Sequence, residues 1–232
     1  RSCRLNGLDA ISFSGQKQEN WYIEDAKNAM ADGKILYAGK YNMPDYEQLV
    51  SGGCRLAIEN GMIAHAPEVV EKLEDFGIPV FMEASSYEKR PLGRVEWIKV
   101  FGALLGREEE AERIFREQED ILNRISADQP SEKTVAFFFI SSNGMIQVRQ
   151  SSDYIPRMIE LAGGRYIFEN LGDPESRKST MNMQAEEFYH KARGADFLIY
   201  NSSIDGGVST MGDLLDKCEF LEDFQAVQEG NV

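Results

Sequence analysis

At 232 residues the chain is long enough for two domains, and 42% hydrophobic with 28% charged residues is the composition of a globular protein, not of a disordered one. Its 39 acidic against 25 basic residues give a formal net charge of −14, which repels a phosphate backbone and argues against nucleic acid as a partner. No stretch approaches the roughly 20 uninterrupted apolar residues of a membrane span, and Cys3, Cys54 and Cys218 have no metal-ligand spacing and leave at least one thiol unpaired. Arg1 opens the chain without a secretory signal pattern, as a mature chain also would.

Short apolar runs alternate with amphipathic stretches, the pattern of parallel strands joined by crossover helices, so the chain is read as α/β. Strands are predicted over 10–14, 35–38, 56–59, 80–82, 134–140 and 197–200, and Asn143-Gly144 marks a tight turn into a return strand at 145–148. A helix over 67–76 places Val69, Val70, Leu73 and Phe76 at helical spacing, with Pro67 at its start and Gly77 just past its end. A second helix runs from Pro91 to Gly106 with Leu92, Val95, Ile98, Phe101 and Leu105 on one face.

The longest helix is predicted over 107–125, with Ala111, Ile114, Phe115, Ile121, Leu122 and Ile125 on one side. Glu108, Glu109 and Glu110 open it and Arg124 closes it, matching the helix dipole at both ends. It would span roughly 28 Å. A polar segment with Pro130 follows before strand patterning restarts, so the chain divides into an amino-terminal α/β lobe at 1–106, a connecting helix and linker at 107–132, and a carboxy-terminal α/β lobe at 133–232.

In open parallel sheets ligands bind beyond the carboxyl ends of the strands. Those positions read Gly39-Lys40-Tyr41-Asn42, Glu83-Ala84-Ser85-Ser86-Tyr87, Ser141-Ser142-Asn143-Gly144 and Asn201-Ser202-Ser203, with Asp205 just beyond. Lys40, Tyr41, Ser85, Ser86, Tyr87, Ser141, Ser142, Asn143, Asn201 and Ser202 are therefore candidate ligand-binding residues, their hydroxyl, amide and aromatic groups suiting a solute cleft. Each loop also has a plainer reading, because Ser, Asn and Gly are what turns and helix caps are made of. Lys40, Arg94 and Arg149 lie in or near these loops and, on so acidic a chain, point to an anionic ligand; the alternative for each is a solvated surface charge.

The local motifs of nucleotide binding, zinc hydrolysis and nucleophile elbows are absent. His65 and His190 are the chain's two histidines and form no metal-binding pair, so no catalytic residue, cofactor or bound metal is expected.

The runs Gly39-Lys40-Tyr41, Pro44-Asp45-Tyr46-Glu47-Gln48-Leu49, Leu56-Ala57-Ile58 and Gly77-Ile78-Pro79-Val80, then Glu96-Trp97-Ile98, Leu104-Leu105-Gly106, Met158-Ile159-Glu160-Leu161-Ala162-Gly163-Gly164 and Ala195-Asp196 occur in an order that resembles the periplasmic binding proteins of iron-siderophore, haem and cobalamin ABC importers. The resemblance spans nearly the whole chain. It implies two Rossmann-like lobes with mainly parallel sheets joined by one long helix. It also implies a non-catalytic protein holding a small solute, an ABC permease as membrane partner, and an extracytoplasmic place, periplasmic or anchored at the cell surface as a lipoprotein. It assigns Glu47 and Glu186 as the glutamates that dock on the permease. Against the family pattern, the opening strand and the closing elements of the second lobe are expected to be missing. Two other readings stay open: a two-lobed α/β enzyme such as a glycosyltransferase, and a truncated relative that no longer binds.

Overall fold

The computed structural model describes residues 5–126, 131–176, 178–204 and 207–232; Cys3, Pro130 and Asp205, singled out above, lie outside them. The chain forms two compact units, Arg1–Ser86 with Val95–Phe115 and Tyr87–Arg94 with Arg116–Val232.

In the first unit the order is β1 (Phe13–Ser14), α1 (Glu24–Ala31), β2 (Leu36–Tyr37), β3 (Gly39–Lys40), β4 (Met43–Pro44), α2 (Tyr46–Ser51), β5 (Ala57–Asn60), α3 (Pro67–Asp75) and β6 (Val80–Glu83). β1 pairs parallel with β2, and β5 pairs parallel with β6 from Ala57↔Val80 to Asn60↔Glu83. The strands expected over 10–14 and 35–38 shrink to two residues each. The donors at their ends are spent locally: Ala10 N–H goes to the Gly7 carbonyl, Ile11 N–H to Leu8, and Ile35 N–H to Ala29 at the end of α1. α3 follows its pattern closely, with Pro67 first, Val69 and Leu73 buried, and Gly77 turning the chain with a φ of 76°. Leu49, Ile63, Val69, Leu73 and Ile78 form the core of this unit.

The helix expected from Pro91 to Gly106 is two, α4 (Pro91–Glu96) and α5 (Ile98–Leu105). Trp97 between them keeps a right-handed backbone, but its carbonyl meets Phe101 N–H only at 3.4 Å, so the ladder slackens there. α6 then runs unbroken over Glu108–Ser126, with three glutamates in its first turn and Arg124 in its last, and carries the chain from the first unit into the second. α5 and the start of α6 approach closely because Gly102 has no side chain: a Cβ there would lie 2.5 Å from that of the fully buried Ala111.

The second unit continues with β7 (Thr134–Ile140), β8 (Ile146–Arg149), α7 (Tyr154–Leu161), β9 (Arg165–Tyr166), β10 (Thr180–Met183), α8 (Ala185–Ala192), β11 (Phe197–Tyr200), α9 (Met211–Lys217) and α10 (Gln225–Gln228). The sheet order is β10-β8-β7-β11, with β9 beside the start of β7. β11 and β9 run parallel to β7, whereas β8 is antiparallel to both β7 and β10. The Asn143-Gly144 turn is present and makes β8 a return strand, with Gly144 N–H donating to the Ser141 carbonyl at 2.8 Å. Phe138, Phe188 and Phe224 are fully buried, and the Phe188 ring lies 4.7 Å from that of Phe138 and 5.7 Å from that of Phe224. Among the described residues no helix is long and apolar enough to cross a membrane.

Candidate functional site

In the first unit the candidate residues stand at strand ends as expected, with one difference. Lys40 is exposed in β3 and not in a loop, because Gly39, at a φ of 86°, folds back against the Met43 carbonyl and starts a hairpin. Tyr41 is half-buried against the core. Ser85 opens a short 3-10 turn after β6 and donates its N–H to Glu83 Oε1 at 3.1 Å; Ser86 belongs to the same turn and is exposed. Half-buried in β5, Glu59 has its carboxyl pushed up by desolvation. Glu47 is exposed in the first turn of α2, whose cap is Asp45 accepting from Gln48 N–H at 3.0 Å.

In the second unit the Ser and Asn residues are largely occupied by their own turns. Ser141 Oγ can give its hydrogen either to Asn143 Oδ1, at 2.5 Å, or to the Met145 carbonyl, at 2.9 Å. Asn201 Oδ1 accepts from the backbone N–H and the hydroxyl of Ser203. Ser142 and Ser202 are exposed in these turns. Glu186 is exposed in the first turn of α8, beside Glu187, which pairs with Lys191 at 2.7 Å. A cavity of ≈ 370 Å³ lined by Ile140, Ile146, Ala185, Cys218 and Phe220 lies near this helix start. Burial pushes the free Cys218 thiol up to about 11.

The structure brings two of the basic candidates together. Tyr87 and Arg94 belong to the second unit, and the Arg94 guanidinium carbon lies 3.6 Å from the centre of the Tyr154 ring, a close cation–π contact. The guanidinium carbon of Arg149, the last residue of β8, lies 5.8 Å from the same ring and 5.5 Å from that of Phe137. Arg94 Nε donates to the Glu88 carbonyl at 2.9 Å. Arg149 makes an ion pair with Asp153 at 3.6 Å, and its Nε is buried without a hydrogen-bond partner. The backbone of Arg149 is gripped on both sides by Tyr166, whose hydroxyl accepts from Arg149 N–H at 3.0 Å and donates to the Arg149 carbonyl at 2.9 Å. Burial raises the pKa of that phenol, keeping it neutral and able to do both.

Tyr154, Asp153 and Tyr166 were not singled out by sequence reasoning. Asp153 carries a local signal, since it caps α7 by accepting from Ile155 N–H at 3.2 Å. The neighbouring loop is tied in by Ser151, whose hydroxyl donates to the Phe168 carbonyl and accepts from Leu171 N–H. Gln150 Oε1 is buried without a partner and lies against Gly172, where a Cβ would clash with it at 2.4 Å. Among the described residues no group of three or more His, Cys, Asp or Glu could hold a metal ion. The arrangement is a partly buried guanidinium pair on aromatic surface, with Arg149 also ion-paired to Asp153.

No family model matches the chain. An uncharacterised lipoprotein of Methanocaldococcus jannaschii is 27% identical over 223 residues, covering 93% of this chain and 50% of the relative. A second from the same organism is 26% identical over 168 residues, covering 70% of this chain and 41% of the relative. The chain thus spans about half the length, or less, of the curated relatives it matches. Among solved structures, the periplasmic haem-binding protein HutB of Vibrio cholerae superposes with a TM-score of 0.75 at 16% identity, covering 99% of this chain and 82% of that one. An ABC transporter substrate-binding protein of Listeria monocytogenes gives 0.69 at 14%, covering 100% and 84%. Staphylococcus aureus IsdE, complexed with haem, gives 0.65 at 14%, covering 99% and 83%. The chain has the fold of the periplasmic solute-binding proteins.

Proposed function

We propose that the chain is the solute-binding component of an ABC importer and holds a small anionic solute, in keeping with an iron chelate, haem or a cobalamin-like ligand. The observation that carries this reading is the convergence of Arg94 and Arg149 on Tyr154, far apart in sequence and joined on one ring. Guanidinium groups offer several N–H donors in a planar fork that fits carboxylate and other oxyanions, and on a chain of net charge −14 such a pair is a local exception. Among the proteins that share the fold, HutB is a haem-binding protein and IsdE is complexed with haem, which favours a ligand of that kind. Lys40, Tyr41, Ser85, Ser86, Tyr87, Ser141, Ser142, Asn143, Asn201 and Ser202 complete the proposed ligand set, those in tight turns as supports for the loop backbone.

The same reading places the protein outside the cytoplasm, as the lipoprotein relatives favour, and assigns Glu47 and Glu186 to permease docking. Its division is an amino-terminal lobe at 1–106, a connection at 107–132, supported by the unbroken helix, and a carboxy-terminal lobe at 133–232. Calorimetric titration of a bound chelate tests the charge assignment. Affinity is expected to fall as salt rises, and Arg149→Gln to cost about 1.5–3 kcal/mol. Tight binding of a neutral solute, indifferent to both changes, would show Arg149 to be an ordinary structural charge.

A further inference from the structure

The cavity at the start of α8 is apolar at its floor and charged at its mouth, and solute binding makes no use of it. We propose that it receives a leucine- or phenylalanine-sized side chain from a loop of the membrane permease, next to a basic residue of the same loop that pairs with Glu186. The proposal rests on the docking reading of Glu186 above and deepens it by naming the chemistry of the partner.

Strand parity separates this cavity from the arginine pair. Side chains alternate across a sheet, and Ile140 and Ile146, register partners on β7 and β8, both line the cavity. They share a face with Phe138, whose ring lies 4.7 Å from that of Phe188 in α8. Phe137 and Arg149 take the opposite face, where Arg149 meets the rings of Phe137 and Tyr154. The cavity is therefore on the α8 side of the sheet, and the proposed arginine contacts are on the other.

Its floor is made by Ile140, Ile146 and Cys218, all buried, and burial keeps the Cys218 thiol protonated and so uncharged. Phe220 forms a wall, packed against the rings of Tyr189 and Phe224, each 5.9 Å away. A wall fixed before binding leaves little ordering for a partner to impose. A dry cavity of about 150 Å³ already accepts a benzene ring, so ≈ 370 Å³ has room for one large apolar side chain. Ala185, the exposed first residue of α8, stands in the lining, and the next residue is the exposed Glu186. Glu219 also lines the cavity and Glu222 follows in the same 3-10 turn, so acidic groups outweigh Lys217 around the mouth. An apolar pit with an acidic rim is complementary to a loop that carries an apolar and a basic residue side by side.

The test is NMR titration of the full chain, labelled at its isoleucine methyl groups, at low salt. The probes are acetyl-Arg-Phe-amide, acetyl-Arg-Ala-amide, acetyl-Glu-Phe-amide and benzyl alcohol, and the proteins are wild type, Ala185→Trp, Ala185→Leu and Glu186→Gln. Acetyl-Arg-Phe-amide should move the Ile140 and Ile146 signals and bind at least about 10-fold more tightly than acetyl-Arg-Ala-amide. Ala185→Trp, which fills the mouth, should remove that advantage. Glu186→Gln should weaken both arginine peptides about 2- to 5-fold. Circular dichroism identifies a variant that fails to fold; Ala185→Leu carries the comparison if Ala185→Trp does. Equal binding of the two arginine peptides, both weakened by Glu186→Gln, would overturn the proposal and leave the docking glutamate standing. Benzyl alcohol bound as tightly as acetyl-Arg-Phe-amide, or Ile140 and Ile146 signals that no peptide moves, would also overturn it alone. Arginine peptides that bind no better than acetyl-Glu-Phe-amide and ignore Glu186→Gln would sink the docking reading, and the proposal with it.

Discussion

Asp196 shows how one carboxylate can fasten two strands. It accepts from Lys133 Nζ at 2.7 Å, from Thr134 N–H at 2.8 Å and from the Thr134 hydroxyl at 2.9 Å, joining the start of β7 to the approach to β11. These donors, the Lys133 ammonium first, hold its carboxyl well below the usual carboxylate range. A folded-state pKa depressed in this way contributes stability that is full above the unfolded value of about 3.9 and fades as pH falls below it. Asp196→Asn is therefore expected to be less stable than wild type in urea unfolding at pH 7, with the gap narrowing at pH 3. An equal gap at both pH values would show that the charge contributes nothing and that only the shape of the side chain matters. At the same scale, Arg149 combines an ion pair with Asp153, contacts with the Phe137 and Tyr154 rings and a backbone clamp from Tyr166.

Local patterning made some elements legible and left others invisible. α3 and α6 could be read because cap, apolar stripe and stop agree along one short stretch, as with Pro67, Val69, Leu73 and Gly77. β1 and β2 could not be bounded, since a two-residue ladder has no period to detect and its flanking donors go to local turns. The slackening at Trp97 was equally hidden, as nothing there breaks helical propensity. Glu47 and Glu186 are each the second residue of a helix, α2 and α8, where an acidic side chain is favoured by the helix dipole and by exposure. Both therefore remain available for a basic partner. Charge reversal to Lys at either position is expected to leave solute affinity unchanged and to lower uptake in transport assays, because rim charges act mainly on encounter. Full uptake with both reversed would remove the docking assignment.

At the scale of the molecule, the α/β class was legible from alternating runs, and the structures that share the fold agree with it at TM-scores of 0.65 to 0.75. The site was legible only in part. Arg94 and Arg149 could be suspected from charge contrast, but their meeting on the Tyr154 ring joins side chains from distant segments, and such a meeting leaves no trace in local spacing. The Ser and Asn turns illustrate the converse: their composition suggested ligand contacts, yet much of their hydrogen-bonding capacity closes the turns themselves. The central claim, that this chain holds an anionic solute and does not transform it, is tested most directly by native mass spectrometry. The chain would be incubated with an equimolar mixture of a ferric hydroxamate, haem and cobalamin, and the spectrum followed over hours. The expected result is a 1:1 adduct of one component, unchanged in mass with time and lost in a variant carrying Arg94→Gln and Arg149→Gln. Chemical turnover of the bound component, or the bare chain alone with every ligand present in excess, would contradict it.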